Sequence, residues 1–150
     1  QGSVAEIVCD FEELPAQQGK EFAGSWFVVD QEHVEMFKDS TYIPLNPYRF
    51  EQSTYPSGLL EGFHLLGLLD HLSNPLIRLR TGHLRGWNYG LDRVRFVSPA
   101  TVGDEIRLRG AIRSVRDHRD GYLLKLDCHL ERRGAEKPVM VAEWLCLFVR

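Results

Sequence analysis

Two carboxylates in the first half of the chain are candidates for acid–base chemistry, Asp39 and Glu61, and His64 is a candidate for contact with a ligand. A carboxylate can take or give a proton when its pKa lies near the working pH. Partial burial would raise the pKa of Glu61 toward the working pH and make it a general base. Each residue also has an ordinary role: Asp39 as a cap in a loop, Glu61 as a carboxylate favoured by a helix dipole, His64 as hydrogen-bonded core.

Gly62 lies between these residues, at the first turn of an apolar segment that is typical of a helix. Unpaired N–H groups and the positive end of a helix dipole can polarise a carbonyl oxygen, which is how oxyanions are usually held. Gly62 is therefore a candidate catalytic residue beside Asp39 and Glu61. The alternative is that this glycine only allows a strand to pass close to the helix.

Hydrophobic periodicity predicts the elements that position these residues. Asp30 fits the N-cap of a short helix over 31–38. The segment 58–72 is apolar on nearly every side, which predicts a helix that other elements must wrap. The predicted strands are 22–29, 87–96, 105–115, 121–131 and 139–149. The elements together predict an α+β protein with the hot-dog fold, a curved antiparallel sheet wrapped around one long buried helix.

Residues 40–57 separate the two helices and carry three prolines among aromatic side chains. Such a pattern is too broken for long regular structure and predicts a long structured loop, which is often functional. The aromatic residues of this loop are Tyr42, Tyr48, Phe50 and Tyr55. They would line an apolar pocket or provide the packing of the loop itself.

Length and charge limit the class of protein. One domain over 1–150 is expected, because 150 residues suffice for a single core. A single layer of sheet leaves an edge uncovered, so we expect a homodimer whose sheets continue side by side. The formal charge of −3 and the pI near 6.1 provide no basic field, so no nucleic-acid partner is expected.

Cysteine usage and hydropathy indicate the compartment. An odd number of cysteines, without C-x-x-C spacing, does not build a disulfide framework and favours a reducing cytoplasm. No basic segment followed by an apolar one opens the chain, and no apolar run reaches the ~18 residues of a membrane span. We expect a cytoplasmic protein without a membrane partner. The histidines lack metal-ligand spacing and no glycine run is of the kind that cradles a phosphate, so neither a metal nor a cofactor is expected.

Two segments carry a family resemblance. Residues 88–104 read N-Y-G-L-D-R-V-R-F-V-S-P-A-T-V-G-D, and residues 137–144 read K-P-V-M-V-A-E-W. These segments resemble the signature and the closing strand of MaoC-like (R)-specific enoyl-CoA hydratases, and Asp30-Gln31-Glu32 resembles the first helix of that family. The resemblance implies addition of water to a 2-enoyl thioester of coenzyme A.

The same resemblance places the catalytic segment of the family, roughly T-G-D-x-x-W-I-H-x-D-P, on residues 39–47. Asp39 takes the place of the catalytic aspartate and Asn46-Pro47 that of D-P, whereas Pro44 takes the place of the catalytic histidine. Proline cannot accept a proton, so the family's base is missing. Where the family has A-H-G-F, this chain has Leu60-Glu61-Gly62-Phe63.

Three functions remain open on this basis. The first is a hydratase or dehydratase of acyl-CoA or acyl-carrier thioesters with an altered catalytic pair, in which Asp39 or Glu61 handles the water and Gly62 the carbonyl. The second is a non-catalytic subunit that binds acyl thioesters, and the third is a hot-dog thioesterase that uses a carboxylate. Candidate substrate-binding residues are Tyr42, Asn46, Tyr55 and His64.

Overall fold

A computed structural model of the chain describes residues 3–47 and 54–150. The two α-helices are α1 (Gln31–Ser40) and α2 (Gly62–Ser73), and 3-10 helices cover Phe11–Gln17 and Ile43–Leu45. The strands are β1 (Ile7–Cys9), β2 (Glu21–Ala23), β3 (Phe27–Val28), β4 (Ile77–Leu79), β5 (Arg85–Phe96), β6 (Glu105–His118), β7 (Gly121–Arg132) and β8 (Met140–Val149).

The main sheet is antiparallel, with the strand order β2-β6-β7-β8-β5 and with β3 paired to β6. Alternate side chains of its long strands point to the core, since successive residues of a strand face opposite sides. The α2 helix packs its leucines Leu65, Leu69 and Leu72 into the same buried cluster as Ile106 and Leu124. The predicted α+β hot-dog fold, a sheet around a central helix, is confirmed.

The prediction of one continuous strand over 22–29 is wrong, because the segment forms two short strands, β2 and β3. Ala23 pairs with Arg109 and Phe27 with Ile106, so four steps on one strand match three on β6. The additional residue forces the chain out of the ladder, as in a β-bulge. Gly24 lies in this break, where a Cβ would approach Leu76 Cδ1 to 3.3 Å.

The predicted start of the buried helix at residue 58 is also wrong, since α2 begins at Gly62. Residues 58–60 instead form backbone hydrogen bonds with residues 100–102. Leu60 N–H donates to the carbonyl of Ala100 at 2.9 Å, and Gly58 accepts from Val102 N–H at 2.8 Å. The φ of Gly58 is +70°, a left-handed value that favours glycine and directs the chain into this pairing.

Two short strands were not predicted from the sequence. The strands β1 and β4 form a separate parallel pair with Ile7 opposite Ile77. Each contains three residues, too few for a period-2 pattern to stand out.

The α2 helix is wrapped on one side only. Leu65 and Leu69 are each 3% exposed, whereas Phe63 is 74% exposed. Strand β5 is likewise exposed on both faces. Its exposed apolar residues include Trp87, Tyr89 and Leu91. In the described part of the chain, no helix has the length and apolar character of a membrane span.

The sheet interior contains two of the three cysteines. Cys128 of β7 and Cys146 of β8 are buried and free. Burial raises the pKa of Cys128 to about 12, and it raises the pKa of Cys146 as well. These thiols therefore stay protonated at neutral pH and belong to the core.

Candidate functional site at the start of helix α2

The start of α2 presents backbone N–H groups that no side chain caps. Glu61 is the N-cap residue, with φ −70° and ψ 148°, and its side chain makes no capping hydrogen bond. The first N–H groups of any helix lack intrahelical acceptors. Among the described residues, the N–H of Gly62 has no acceptor. This helix start therefore has free donors and a positive dipole end, which together favour a developing negative charge.

Gly62 also lies directly against an aromatic ring. A Cβ at this position would approach three atoms of the Phe96 ring to 3.0–3.1 Å. Phe96 ends β5, so the strand that carries the family signature meets the helix here. The absence of a side chain at Gly62 thus permits a close approach, as the alternative interpretation from sequence held, whereas its N–H is open because Gly62 is the first residue of the helix.

His64 lies in the first turn of α2 and packs against α1. Its ring is stacked on Phe37, with ring centroids 4.7 Å apart and ring planes parallel. Burial lowers the pKa of His64, and the positive charge of His33 lowers it further. Among the described residues, no hydrogen bond to the His64 ring is present, so the side chain is neutral, half-buried and held by stacking.

His33 is hydrogen-bonded to Asp30, the N-cap residue of α1. Asp30 accepts the N–H of His33 at 2.8 Å, as the predicted N-cap should, and its Oδ1 also lies 2.7 Å from His33 Nδ1. The side-chain hydrogen bond with Asp30 is the main cause that raises the pKa of His33. The backbone bond from His33 is the main cause that lowers the pKa of Asp30. The result is an oriented carboxylate–imidazole pair.

The predicted site residues are only partly brought together. Glu61, Gly62 and His64 share the start of α2, and Glu61 is half-buried. Asp39 is exposed in the last turn of α1, and among the described residues no hydrogen bond or ion pair joins its carboxylate to that group. Its catalytic role stays a prediction.

The candidate substrate-binding residues of the loop face solvent. Tyr42 is 68% exposed with φ 63°, Tyr55 is 43% exposed, and Asn46 ends the short 3-10 helix that contains Pro44. Tyr48 and Phe50 lie outside the described residues. Within residues 3–47 and 54–150, no group of His, Cys, Asp and Glu side chains could hold a metal ion.

A cleft of about 310 Å³ extends from the start of α2 between the helix and strands β5 and β8. Phe63, Leu66, Gly67, Leu91 and Trp144 supply its apolar wall. Its far end is polar: Asn88 Oδ1 accepts from Trp144 Nε1 at 3.0 Å, and Asn88 Nδ2 donates to Asp70 at 3.2 Å. We call it the α2–β5 cleft. A mostly apolar cleft with a few placed polar groups is the usual form of a ligand site.

His33 was not among the site residues predicted from the sequence. The signal that would have found it is the spacing Asp30-x-x-His33 at a helix N-cap. This spacing lets one carboxylate accept both the backbone N–H and the ring N–H of the third residue.

Comparison with known proteins agrees with this fold. No protein-family model matches the chain. The chain is 30% identical over 143 residues to 3-hydroxyacyl-thioester dehydratase Z of Mycobacterium tuberculosis, a match that covers 91% of this chain and 94% of that protein.

Two solved structures share the fold. The MaoC-like dehydratase from Rhodospirillum rubrum has a TM-score of 0.65, with 13% identity and coverage of 89% of this chain and 93% of that one. The monoamine oxidase regulatory protein from Archaeoglobus fulgidus has a TM-score of 0.70, with 19% identity and coverage of 97% of both chains. These structures place the chain among hot-dog proteins. The chain belongs to the MaoC-like hydratase and dehydratase family.

Proposed function

We propose that this chain interconverts 3-hydroxyacyl and 2-enoyl thioesters by removing or adding water, on acyl-CoA or an acyl carrier. The observation that carries the proposal is the uncapped start of α2, where the N–H of Gly62 has no acceptor among the described residues. The relative at 30% identity, which is named as a 3-hydroxyacyl-thioester dehydratase, supports it.

The helix start would act on the thioester carbonyl. A hydrogen bond from Gly62 N–H and the positive end of α2 stabilise the negative charge that develops on the carbonyl oxygen when a proton leaves C2. Loss of hydroxide from C3, assisted by a proton donor, then gives the enoyl thioester. The apolar wall of the α2–β5 cleft would hold the acyl chain next to this point.

A second candidate function is a subunit that binds acyl thioesters without turnover. The observation that favours it is Pro44, which lies exposed in a 3-10 helix at the place where the family resemblance puts the histidine. Such a protein would keep the donors and the cleft and lack the proton transfer.

One assay separates these functions. Purified protein is mixed with 3-hydroxyacyl-CoA and 2-enoyl-CoA substrates of several lengths, and the absorbance of the conjugated double bond and the release of free thiol are both recorded. Hydratase activity changes only the absorbance, and we expect this result. Thiol release would indicate a thioesterase. A raised Tm with coenzyme A thioesters, in the absence of either signal, would indicate the binding subunit.

We propose in addition that the chain is a homodimer joined along β5. This strand is an edge of the sheet, and its Trp87, Tyr89 and Leu91 are 56%, 52% and 41% exposed. Open strand edges with apolar residues tend to pair with another chain. Cys9, Cys128 and Cys146 are free and buried, which fits a reducing compartment, and we propose the cytoplasm.

Leu91→Lys is expected to convert the dimer to a monomer, because it places a charge in the middle of the proposed dimer interface along β5. Sedimentation equilibrium should give twice the chain mass of 17.3 kDa for the wild type and one chain mass for the variant. Val28→Lys is the matched control, since Val28 is 49% exposed on β3, away from β5. A wild-type protein that sediments as one chain would overturn the dimer.

A further inference from the structure

The proposed reaction needs a proton acceptor and a proton donor, and Pro44 can be neither. Two imidazoles occupy equivalent places at the starts of the two helices. His33 is the third residue of α1, and His64 is the third residue of α2. Phe37 lies one turn after His33 on the same face of α1, and its ring is the one stacked on His64. The face of α1 that carries His33 therefore looks toward the start of α2.

The carboxylates predicted from sequence are less well placed for this task. Residues two positions apart on a helix do not share a face. Because Phe37 faces His64, Asp39 points to another side of α1, where it is exposed. Glu61 is the N-cap residue of α2, outside the helix itself, and its side chain makes no capping hydrogen bond that would orient it.

The surroundings of the two imidazoles shift their pKa values in opposite directions. Asp30 and, more weakly, Glu32 raise the pKa of His33, which favours the protonated ring. Burial and the charge of His33 lower the pKa of His64, so that ring is neutral. Neighbouring groups whose pKa values are driven apart are the usual arrangement of a catalytic acid and base.

We propose that His64 is the base and His33 the acid of this site, with Asp30 as the positioning residue that holds and orients His33. This inference rests on the proposed hydratase function. In dehydration, His64 takes the proton from C2, and the C2–H electron pair forms the C2=C3 double bond. The C3–O bond breaks, and the departing hydroxyl takes the proton of His33 and leaves as water. Hydration is the reverse, so atoms and electrons balance without an oxidant or a reductant.

His33→Asn and His64→Asn test the assignment in the dehydration assay. Each is expected to lower kcat by about 10²-fold or more, the usual contribution of a general acid or base. His83→Asn is the matched control, because His83 is exposed in another loop and has φ 61°, a left-handed conformation that asparagine tolerates. His64→Gln, with near-ultraviolet circular dichroism, checks that a loss at this half-buried position is not a loss of folding.

Asp30→Asn gives a readout that a purely structural role would not change. Asparagine caps a helix as well as aspartate does, so α1 should persist while the charge beside His33 is removed. The wild-type kcat/KM for dehydration should fall in acid, as His64 becomes protonated, and fall in alkali, as His33 loses its proton. In Asp30→Asn the alkaline limb should move to lower pH, because the carboxylate that raised the pKa of His33 is absent. Asp120→Asn, in the exposed turn after β6, should leave the profile unchanged.

The outcomes distinguish the inference from the function on which it rests. A wild-type protein without turnover on any substrate would overturn both. Wild-type turnover that both asparagine variants retain would overturn the inference alone, and loss of activity in Glu61→Gln or Asp39→Asn instead would assign the proton transfer to a carboxylate. Turnover lost in both histidine variants and kept in His83→Asn, with the shifted limb in Asp30→Asn, would support the inference.

Discussion

Gly62→Pro is expected to lower kcat by about 10²–10³-fold, the loss that follows removal of one oxyanion donor. Proline at the first helical position has a favourable φ and lacks only an N–H that the helix does not use. The preceding residue, Glu61, already has the extended ψ of 148° that a following proline requires. The substitution should therefore remove the donor and leave α2 in place. Stopped-flow measurement of the enoyl absorbance, with thermal unfolding of the same sample, checks both expectations.

Gly62→Ala is the control that isolates the donor. Alanine adds the same Cβ next to the Phe96 ring, 3.0 Å away before any adjustment, and keeps the N–H. The contact involves the far end of a half-exposed ring that can rotate. We expect most of the activity to remain in this variant. Equal losses in the alanine and proline variants would show that Gly62 serves packing and not the carbonyl.

Gly110→Ala is expected to cost more than about 4 kcal/mol of folding stability, a value that only severe core changes reach. A Cβ at Gly110 would lie 1.8 Å from the carbonyl oxygen of Asp127 and 2.9 Å from the ring of Phe22. The first contact is with the backbone of β7, which pairs with β6 along most of its length. Neither strand can move away without breaking that ladder.

Thermal unfolding and soluble yield measure this effect. A cost of this size is a large share of the ~5–15 kcal/mol that stabilises a typical domain, so we expect a strongly lowered Tm or insoluble protein. Gly90→Ala is the matched strand control, since a Cβ there meets only Leu145 Cδ1, at 3.9 Å. A Gly110→Ala protein with the Tm of the Gly90→Ala protein would contradict the prediction.

The long antiparallel strands could be predicted closely from the sequence. Residues 105–115 alternate apolar and polar side chains, and β6 indeed starts at Glu105, although it continues to His118. The cap at Asp30 was equally readable, because its carboxylate bonds the N–H of His33. Patterns of this kind are local, and local chemistry decides them.

The remaining differences depend on distant contacts. The start of α2 is set by the bond from Leu60 to Ala100, and the break after Ala23 is set by the register with β6. Neither partner can be identified from the apolar pattern alone. The stacking of Phe37 on His64 joins two helices across a loop, so the approach of α1 to the start of α2 could not be read from the sequence either.

The burial of Cys128 and Cys146 in the sheet interior should make their alkylation slow in the folded protein. Reagents that alkylate cysteine attack the thiolate, and burial keeps Cys128 protonated, with a pKa of about 12. Cys146 lies on the neighbouring strand in the same state. Alkylation at neutral pH therefore has to wait until β7 and β8 separate, and its rate measures how often the native sheet opens.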